Sequence, residues 1–181
     1  HQLYRDWDAL FAAPKLADAV IIATQDRLHF EPTMKALAAG YHVLLEKPMS
    51  ASPEECLLMQ RQAERYGRSL TICHVLRYSP FFRTLKELVS GGEIGRLMSI
   101  AHNENVAFWH QAHSYVRGNW RNSQEASPMI LAKSCHDLDI LLWLADADCL
   151  HVSSFGSLSH FRADQAPPGA PMRCLDGCPM S

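Results

Sequence analysis

Residues 18–49 constrain the fold of this chain more than any other part of it. Two short, mostly apolar runs, Ala19–Ala23 and His42–Leu45, do not alternate with polar residues, which is typical of strands buried on both faces of a parallel sheet. The segment Phe30–Ala39 between them contains helix-forming residues and is followed by Gly40, a residue type favoured just past a helix end. A strand, a helix and a strand within about thirty residues predict a right-handed βαβ unit.

The rest of the chain continues this mixture of helical and extended patterns, which predicts an α/β fold. Four further segments have helical spacing: Trp7–Phe11, Pro53–Tyr66, Pro80–Val89 and Pro128–Ala145. Three more have strand-like patterns: Leu70–Val75, Arg96–Phe108 and Cys149–Phe161. Two segments lack a period and are predicted as loops: Trp109–Ser127 and the proline-rich Ala163–Ser181. Ser52 should cap the second of these helices, with Glu55 completing a capping box and Gly67 ending the helix.

Composition excludes several classes of partner. The chain has 181 residues, of which 48% are hydrophobic and 20% are charged, and its net charge is −2. This balance gives no electrostatic reason to expect nucleic acid or a membrane surface as a partner, and no apolar run approaches the roughly 20 residues of a bilayer span. Six scattered cysteines, four of them in predicted helices or strands, indicate reduced thiols and a cytoplasmic protein: Cys56, Cys73, Cys135, Cys149, Cys174 and Cys178.

Polar residues follow the first two predicted strands. Parallel sheets bind ligands beyond the carboxyl ends of their strands, where the segments Thr24–His29 and Glu46–Pro48 are expected to lie. Pro48 favours an extended conformation of Lys47, which would aim the ammonium group at a defined point above the sheet. A partly buried lysine with a lowered pKa can take up or release the proton of an alcohol that is being oxidised. The plain alternative is a strand-end lysine in water.

With these residues in place, the sequence resembles the glucose–fructose oxidoreductase, inositol dehydrogenase and MocA family of oxidoreductases (Gfo/Idh/MocA). The resemblance covers most of residues 4–160. The residues that carry it follow one order along the chain: Ala23-Thr24 with His29, Ala39-Gly40 with His42-Val43, Glu46-Lys47-Pro48, Gly95 with a following strand, Trp120-Arg121, and His136 with Asp139. It implies that residues 1–75 are the later part of an NAD(P)-binding Rossmann domain. Residues 76–181 would then be an incomplete α+β substrate domain with an open mixed sheet.

The resemblance also implies NAD or NADP as cofactor, a small sugar or polyol as substrate, and a homo-oligomer when the chain is full length. The family's glycine-rich turn, G-x-G-x-x-G after a strand, does not occur among the nine glycines of this chain. We therefore expect the first βαβ unit to be missing from the chain. The substrate domain is likewise expected to continue past Ser181.

The resemblance assigns catalytic roles to Lys47, as proton donor or acceptor, and to His136, as its helper. Histidine titrates near neutrality, so His136 could relay a proton or bind a substrate hydroxyl group. A lone helical histidine among apolar neighbours is more often structural, and only the resemblance favours catalysis. Many family members carry an aspartate four residues before this histidine, where this chain has Ala132. Lys133 and Asp137, on the same predicted helix, are the candidates to replace it in the proton path.

A larger set of polar residues is implied as ligand contacts. The implied cofactor contacts are Thr24, Gln25, His29, Glu46, Lys47, Arg77, Trp120 and Arg121. The implied substrate contacts are Lys47, Arg77, Lys133 and His136. Each has a simpler interpretation: a plain loop for Thr24–His29, a cation partner for Glu46, a surface ion pair for Arg77, and a packed aromatic loop for Trp120-Arg121.

Other functions fit the sequence less well. The pairs His110/His113 and Cys174/Cys178 do not specify the four ligands of a structural zinc site, so no metal is expected. The resulting hypothesis is hydride transfer between a nicotinamide and a hydroxyl or carbonyl group of a sugar, polyol or cyclitol. One alternative is a non-catalytic fragment, sensor or partner subunit without the dinucleotide-binding turn. Another is dehydratase-like or hydrolytic use of a bound cofactor.

Overall fold

The computed structural model describes residues 2–178, apart from the side chain of Cys174. These residues divide into two compact units, one ending at Asp148 and one beginning at Cys149. In the first unit the helices are α1 (Trp7–Ala12), α2 (Phe30–Ala38), α3 (Pro53–Tyr66), α4 (Pro80–Ser90), α5 (Phe108–Gln111), α6 (Met129–Ala132) and α7 (Cys135–Ala145). Short 3₁₀ helices cover Asp26–Leu28, Val75–Tyr78, Ala163–Gln165 and Cys174–Asp176, and a π-helical turn covers Ala112–Val116.

A three-stranded parallel sheet forms the centre of the first unit, which confirms the predicted α/β fold. Its strands are β1 (Ala19–Ile22), β2 (His42–Leu45) and β3 (Leu70–Ile72), in the order β1-β2-β3. Ile22 is paired with Leu45, and Leu45 is paired with Ile72, so the three strands end in register. Helices α2 and α3 make the two crossovers. The core is built from the inner faces of these elements: Ile22, Ala36, Leu37, Tyr41, Val43, Leu45, Met59 and Ala63.

The caps of α3 follow the sequence pattern with one difference. The Ser52 hydroxyl accepts a hydrogen bond from the N–H of Glu55 at 3.3 Å, and Gly67 ends the helix with φ of 59°. The Ser52 N–H, however, donates to the Ser50 hydroxyl at 3.0 Å, and the Glu55 carboxylate accepts from that same hydroxyl. In a capping box the Glu55 carboxylate would accept directly from the Ser52 N–H. Here the Ser50 hydroxyl lies between these two groups and is hydrogen-bonded to both.

Two predicted strands are wrong. Neither Arg96–Phe108 nor Cys149–Phe161 is extended in a sheet, and the residues described between 76 and 178 form no open mixed sheet. A strand needs hydrogen-bonded neighbours, and these segments have no neighbouring strand among the described residues. Each segment is mostly exposed instead.

Two predictions in the second half are wrong in detail. Residues 109–127, predicted as loop, begin in α5 and continue through a π-helical turn before the irregular part. The single helix predicted over Pro128–Ala145 is two helices, α6 and α7, separated at Lys133-Ser134. In an unbroken helix the Ala132 carbonyl would accept from the N–H of His136, whereas here it accepts from the Lys47 side chain. None of the helices in residues 2–178 has the length and apolar character needed to cross a membrane.

Candidate active site

The carboxyl edge of the sheet gathers polar side chains from all three strands. Because the strands end in register, the residues two positions beyond each strand lie in equivalent places: Thr24 after β1, Lys47 after β2 and His74 after β3. The first turn of α7, with His136, packs against this edge through the ring of His74. The candidate site is therefore the edge of the sheet beneath the α6–α7 break.

Lys47 is anchored by the break between the two helices. Its ammonium Nζ donates to the main-chain carbonyl of Ala132 at 3.0 Å, and the residue is half-buried. Its own N–H donates to the Glu46 carboxylate at 3.2 Å. Among the described residues, the Lys47 ammonium group forms no ion pair with a carboxylate.

His136 shares its surroundings with Lys47. Burial lowers the pKa of His136 below its ordinary value of 6.5, and the nearby charge of Lys47 lowers the pKa further. His74 and Lys133 act in the same direction, while Asp137 opposes them. The Nδ1 atom of His136 is buried and has no hydrogen-bond partner among the described residues. The structure thus brings the two predicted catalytic residues together in surroundings that favour the neutral form of the imidazole.

His74 is a residue of this edge that sequence reasoning missed. Its ring meets the ring of His136 edge to face, with centroids 6.0 Å apart and planes at 85°. Burial lowers the pKa of His74, and Arg77 lowers it further against the opposing charge of Asp139. Its Nδ1 atom is also buried without a partner among the described residues. A signal in the sequence could have identified it: like Lys47 after β2, His74 lies two positions past the end of its strand.

Lys133 and Asp137, which flank His136, are both engaged with the irregular segment before α5. Lys133 Nζ lies 2.7 Å from the Glu104 carboxylate, and this bond raises the pKa of Lys133 against the effect of burial. His102 Nε2 donates to the buried carboxylate of Asp137 at 2.6 Å. The positive charge of Lys133 is therefore already paired, and its role as a substrate contact stays a prediction.

Arg77 forms a two-point ion pair with Asp139 of α7. Its Nε and terminal nitrogen donate to the two carboxylate oxygens at 2.7 and 2.6 Å. The Asp139 side chain is 12% exposed and that of Arg77 is 39% exposed. The sequence analysis gave a surface ion pair as the simpler interpretation of Arg77. The structure shows an ion pair, and it is partly buried because the Asp139 side chain is. A cofactor or substrate contact of Arg77 stays a prediction.

The predicted contacts after β1 fall into two groups. The His29 side chain is only 1% exposed, and its ring nitrogens lie 2.8 Å from the Pro48 carbonyl and 3.1 Å from the Thr24 carbonyl. His29 thus ties the segment after β1 to the segment after β2. The Thr24 hydroxyl donates to the Leu28 carbonyl at 2.9 Å, while Gln25 is exposed. Direct cofactor contacts of these residues stay predictions.

Trp120 is hydrogen-bonded to a residue that lines a polar cavity next to β1. Its indole N–H donates to Asp26 at 2.9 Å, and this carboxylate belongs to a residue that is only 7% exposed. Arg121 pairs with Glu125 at 3.0 Å on the surface. The cavity of about 330 Å³ is lined by six residues, two of them predicted cofactor contacts: Gln25, Asp26, Asn119, Arg121, Glu125 and Ala126. The structure brings Gln25 and Arg121 together there, and neither Lys47 nor His136 lines this cavity.

Metal ligation finds no support in the part of the chain that the structure describes. No three side chains of His, Cys, Asp or Glu there are grouped so that they could hold an ion. The His110 ring stacks on Trp109 at 5.7 Å, and burial raises the pKa of the Cys73 and Cys135 thiols, which keeps them protonated. The Cys174 side chain of the other candidate pair lies outside the described residues.

Profiles of one protein family match both halves of the chain. The profile described as oxidoreductase family, NAD-binding Rossmann fold, matches residues 1–74. The profile described as oxidoreductase family, C-terminal alpha/beta domain, matches residues 86–171.

Individual proteins with similar sequences or structures are enzymes or bind NAD. The scyllo-inositol 2-dehydrogenase (NADP(+)) IolW of Bacillus subtilis is 33% identical over 59% of this chain and 28% of its own length. The 2,7-anhydro-N-acetylneuraminate hydratase of Escherichia coli is 32% identical over 73% of this chain and 34% of its own length. The crystal structure of an NAD-binding protein from Listeria innocua has a TM-score of 0.62 and 31% identity, over 79% of this chain and 41% of that one. The chain thus spans about a third of the curated relatives' length.

Proposed function

This chain belongs to the Gfo/Idh/MocA family of oxidoreductases, and we propose that the protein containing it transfers a hydride between a nicotinamide cofactor and its substrate. The substrate class is a sugar, polyol or cyclitol with a hydroxyl or carbonyl group at the reacting carbon. One observation carries the proposal. The Lys47 ammonium group lies close enough to His136 to lower the pKa of its imidazole, and both side chains lie at the carboxyl edge of a parallel sheet. The inositol dehydrogenase among the relatives supports the polyol class.

The residues at this edge fit NAD or NADP as cofactor. The polar cavity beside Gln25 and Arg121 offers amide and guanidinium donors, and two imidazoles with unused nitrogens lie further along the edge. Within the proposal, Thr24, Gln25, Glu46, Trp120 and Arg121 would hold the dinucleotide. When bound, the nicotinamide supplies the carbon that accepts or gives the hydride.

Lys47 is proposed to move the proton of the reacting hydroxyl group. In the oxidation direction its amine accepts that proton as the carbon–oxygen double bond forms, and in reduction its ammonium returns it. The Ala132 carbonyl holds the nitrogen in place in either state, since an ammonium or an amine N–H can donate to it.

His136 is proposed to donate a hydrogen bond to the reacting oxygen. A proton on its Nδ1 would be a buried N–H without an acceptor, which costs about 1–3 kcal/mol. The neutral ring therefore carries its proton on Nε2, the nitrogen that is not confined in the interior. A ring in this form donates from Nε2 and cannot accept a proton at the same atom, so the base is Lys47.

The test is isotope transfer by the whole protein. With scyllo-inositol deuterated at its ring carbons, the proposal expects deuterium in the reduced nicotinamide, detected by mass spectrometry, and its loss in Lys47→Met. Lys86→Met is the matched control, because Lys86 also donates to a main-chain carbonyl, that of Trp143, at 2.6 Å but away from this edge. Retained transfer in Lys47→Met would remove Lys47 from the mechanism. Absence of transfer with any polyol, sugar or cyclitol would remove the proposed reaction.

A second candidate function is favoured by the hydratase among the relatives. Addition or removal of water needs the same proton donor and acceptor at the substrate but leaves no net change in the cofactor. Product analysis separates the two: a product that differs from the substrate by one water, with unchanged nicotinamide, supports the hydratase. Calorimetry of the whole protein with NADH and NADPH tests the non-catalytic alternative, which tight binding would reject.

The proposal extends to organisation and location. Residues 1–75 would belong to the dinucleotide domain and residues 76–181 to the substrate domain, a division supported by the gap between the two profile matches. A homo-oligomer in the cytoplasm is proposed as well. Five described cysteines are free, in keeping with a reducing compartment: Cys56, Cys73, Cys135, Cys149 and Cys178. Light scattering of the whole protein after size exclusion measures the oligomeric state.

A further inference from the structure

The segment 96–106 is held in place by side chains and not by its backbone. Among the described residues, its backbone groups form no hydrogen bond with another backbone group. Two of its side chains, His102 and Glu104, bind instead to the two charged residues that flank His136. We propose that His102 and Glu104 are positioning residues, which fix the place and the electrostatic surroundings of the His136 imidazole through these two contacts. The inference rests on the proposed function for the role of His136.

His102 holds the negatively charged neighbour of His136. Its Nε2 atom donates to the Asp137 carboxylate at 2.6 Å. Asp137 is the third residue of α7 and is only 8% exposed, so without a partner its carboxylate would be buried and unsatisfied. The contact with His102 therefore keeps Asp137 in one position, and with it the first turn of α7 that carries His136.

Glu104 holds the positively charged neighbour. The ammonium Nζ of Lys133 lies 2.7 Å from the Glu104 carboxylate. Lys133 lies at the break between α6 and α7, and its charge acts on His136. The pair with Glu104 therefore offsets a positive charge that would otherwise act on the imidazole in full.

The segment pairs with two of the groups whose charges act on His136, one of each sign. Lys133 lowers the pKa of the imidazole, and Asp137 raises it. Four charged or titratable groups act on His136 from the elements packed around it: Lys47 after β2, His74 after β3, Lys133 at the helix break and Asp137 on α7.

The two contacts predict pKa changes of opposite sign. Glu104→Gln leaves the Lys133 ammonium without its carboxylate, so the pKa of His136 should fall by about half a pH unit, the effect of one charge roughly 6–8 Å away in water. His102→Leu removes the donor that shares the charge of Asp137, so the pKa of His136 should rise by a similar amount. Loosening of the segment alone would expose the ring to water and raise the pKa toward 6.5 in both variants.

NMR titration of the His136 ring in the whole protein, labelled with ¹⁵N-histidine, measures these pKa values without any turnover. The pH profile of kcat/KM for oxidation of scyllo-inositol reports the same group in the working enzyme, and its acid limb should move with the pKa. Glu104→Asp keeps the charge and should stay close to the parent protein. His102→Gln keeps an N–H donor and should recover part of the change seen in His102→Leu.

Two control variants match the changes in chemistry at sites away from His136. Glu31→Gln removes a carboxylate from an exposed pair with Lys35 on α2, at 2.6 Å. His151→Asn replaces an exposed histidine of the second unit. Both should leave the pKa of His136 unchanged.

Each outcome decides one hypothesis. A rise or no change of the His136 pKa in Glu104→Gln overturns the inference, and so does a fall or no change in His102→Leu. Opposite changes in the NMR titration of a protein that transfers no hydride uphold the inference and overturn the proposed reaction. Hydride transfer with a pH profile that neither variant moves overturns the inference and leaves the proposed reaction standing.

Discussion

The ammonium group of Lys47 donates to the main-chain carbonyl of Ala132 at 3.0 Å, four positions before His136. The acceptor is uncharged, so no carboxylate at this position offsets the charge of Lys47. That charge contributes to the lowered pKa of His136. The uncharged residue at position 132 thus leaves the effect of Lys47 on the pKa of His136 unopposed from that position.

The first prediction concerns Ala132→Asp. A carboxylate beside Lys47 and His136 favours the imidazolium form, so the pKa of His136 should rise. Ala132→Asn is the control, because it has nearly the same size and no charge, and should leave the pKa within about 0.3 unit of the parent's. Ala132 is 2% exposed, so both variants should lose about 1–3 kcal/mol of stability through overpacking. NMR titration of the His136 ring measures the pKa, and an equal pKa in both variants would contradict this account.

The first half of the fold was predictable because its signals are local. The apolar runs of β1 and β2, the Ser52 cap and Gly67 each depend on residues a few positions apart. The predicted strand at Arg96–Phe108 failed because a strand also depends on its neighbours, which an apolar pattern does not reveal. The break between α6 and α7 was missed for a similar reason. The Ala132 carbonyl at the break accepts a hydrogen bond from a lysine 85 positions away, and helical spacing continues across the break.

The site was predicted in part. Lys47 and His136 were found through their place in a family pattern, and the structure brings them together. His74 was missed because the predicted strand Leu70–Val75 includes it. A residue inside a strand of a parallel sheet is expected to pack in the sheet and not to face a ligand. In the structure β3 ends at Ile72, so His74 lies beyond the edge. The partners of Arg77 and Trp120, Asp139 and Asp26, come from elements 62 and 94 positions distant, which no spacing rule identifies.

The second prediction is a loss of stability in mild acid. His74 and His136 have pKa values below the 6.5 of the free side chain, so between those values and 6.5 the unfolded chain binds more protons than the folded chain. The free energy of unfolding should therefore fall as pH falls through this window, and these groups should contribute no slope above it. Urea unfolding at pH 7.5, 6.5 and 5.5 measures this. The double variant His74→Phe, His136→Phe should flatten the slope, and His151→Asn should not.

The third prediction concerns the Arg77–Asp139 pair. Arg77→Ala leaves a carboxylate that is 12% exposed without its partner, and we expect a loss of about 2 kcal/mol in the free energy of unfolding. Arg121→Ala breaks a pair whose side chains are about half exposed, and should lose less than about 1 kcal/mol. Urea unfolding compares the two. Equal losses would show that burial of Asp139 does not strengthen the pair.

The last prediction concerns the indole N–H of Trp120, which donates to the buried Asp26 carboxylate at 2.9 Å. Trp120→Phe removes the donor and leaves a residue that is 7% exposed with an unsatisfied charge, so the free energy of unfolding should fall by about 1–3 kcal/mol. Asp26→Asn removes the charge that needs this donor, so the double variant should be more stable than the sum of the single losses by more than about 0.5 kcal/mol. Urea unfolding of the four proteins gives this coupling. Additive losses would mean that the bond between Trp120 and Asp26 contributes nothing to the free energy of unfolding.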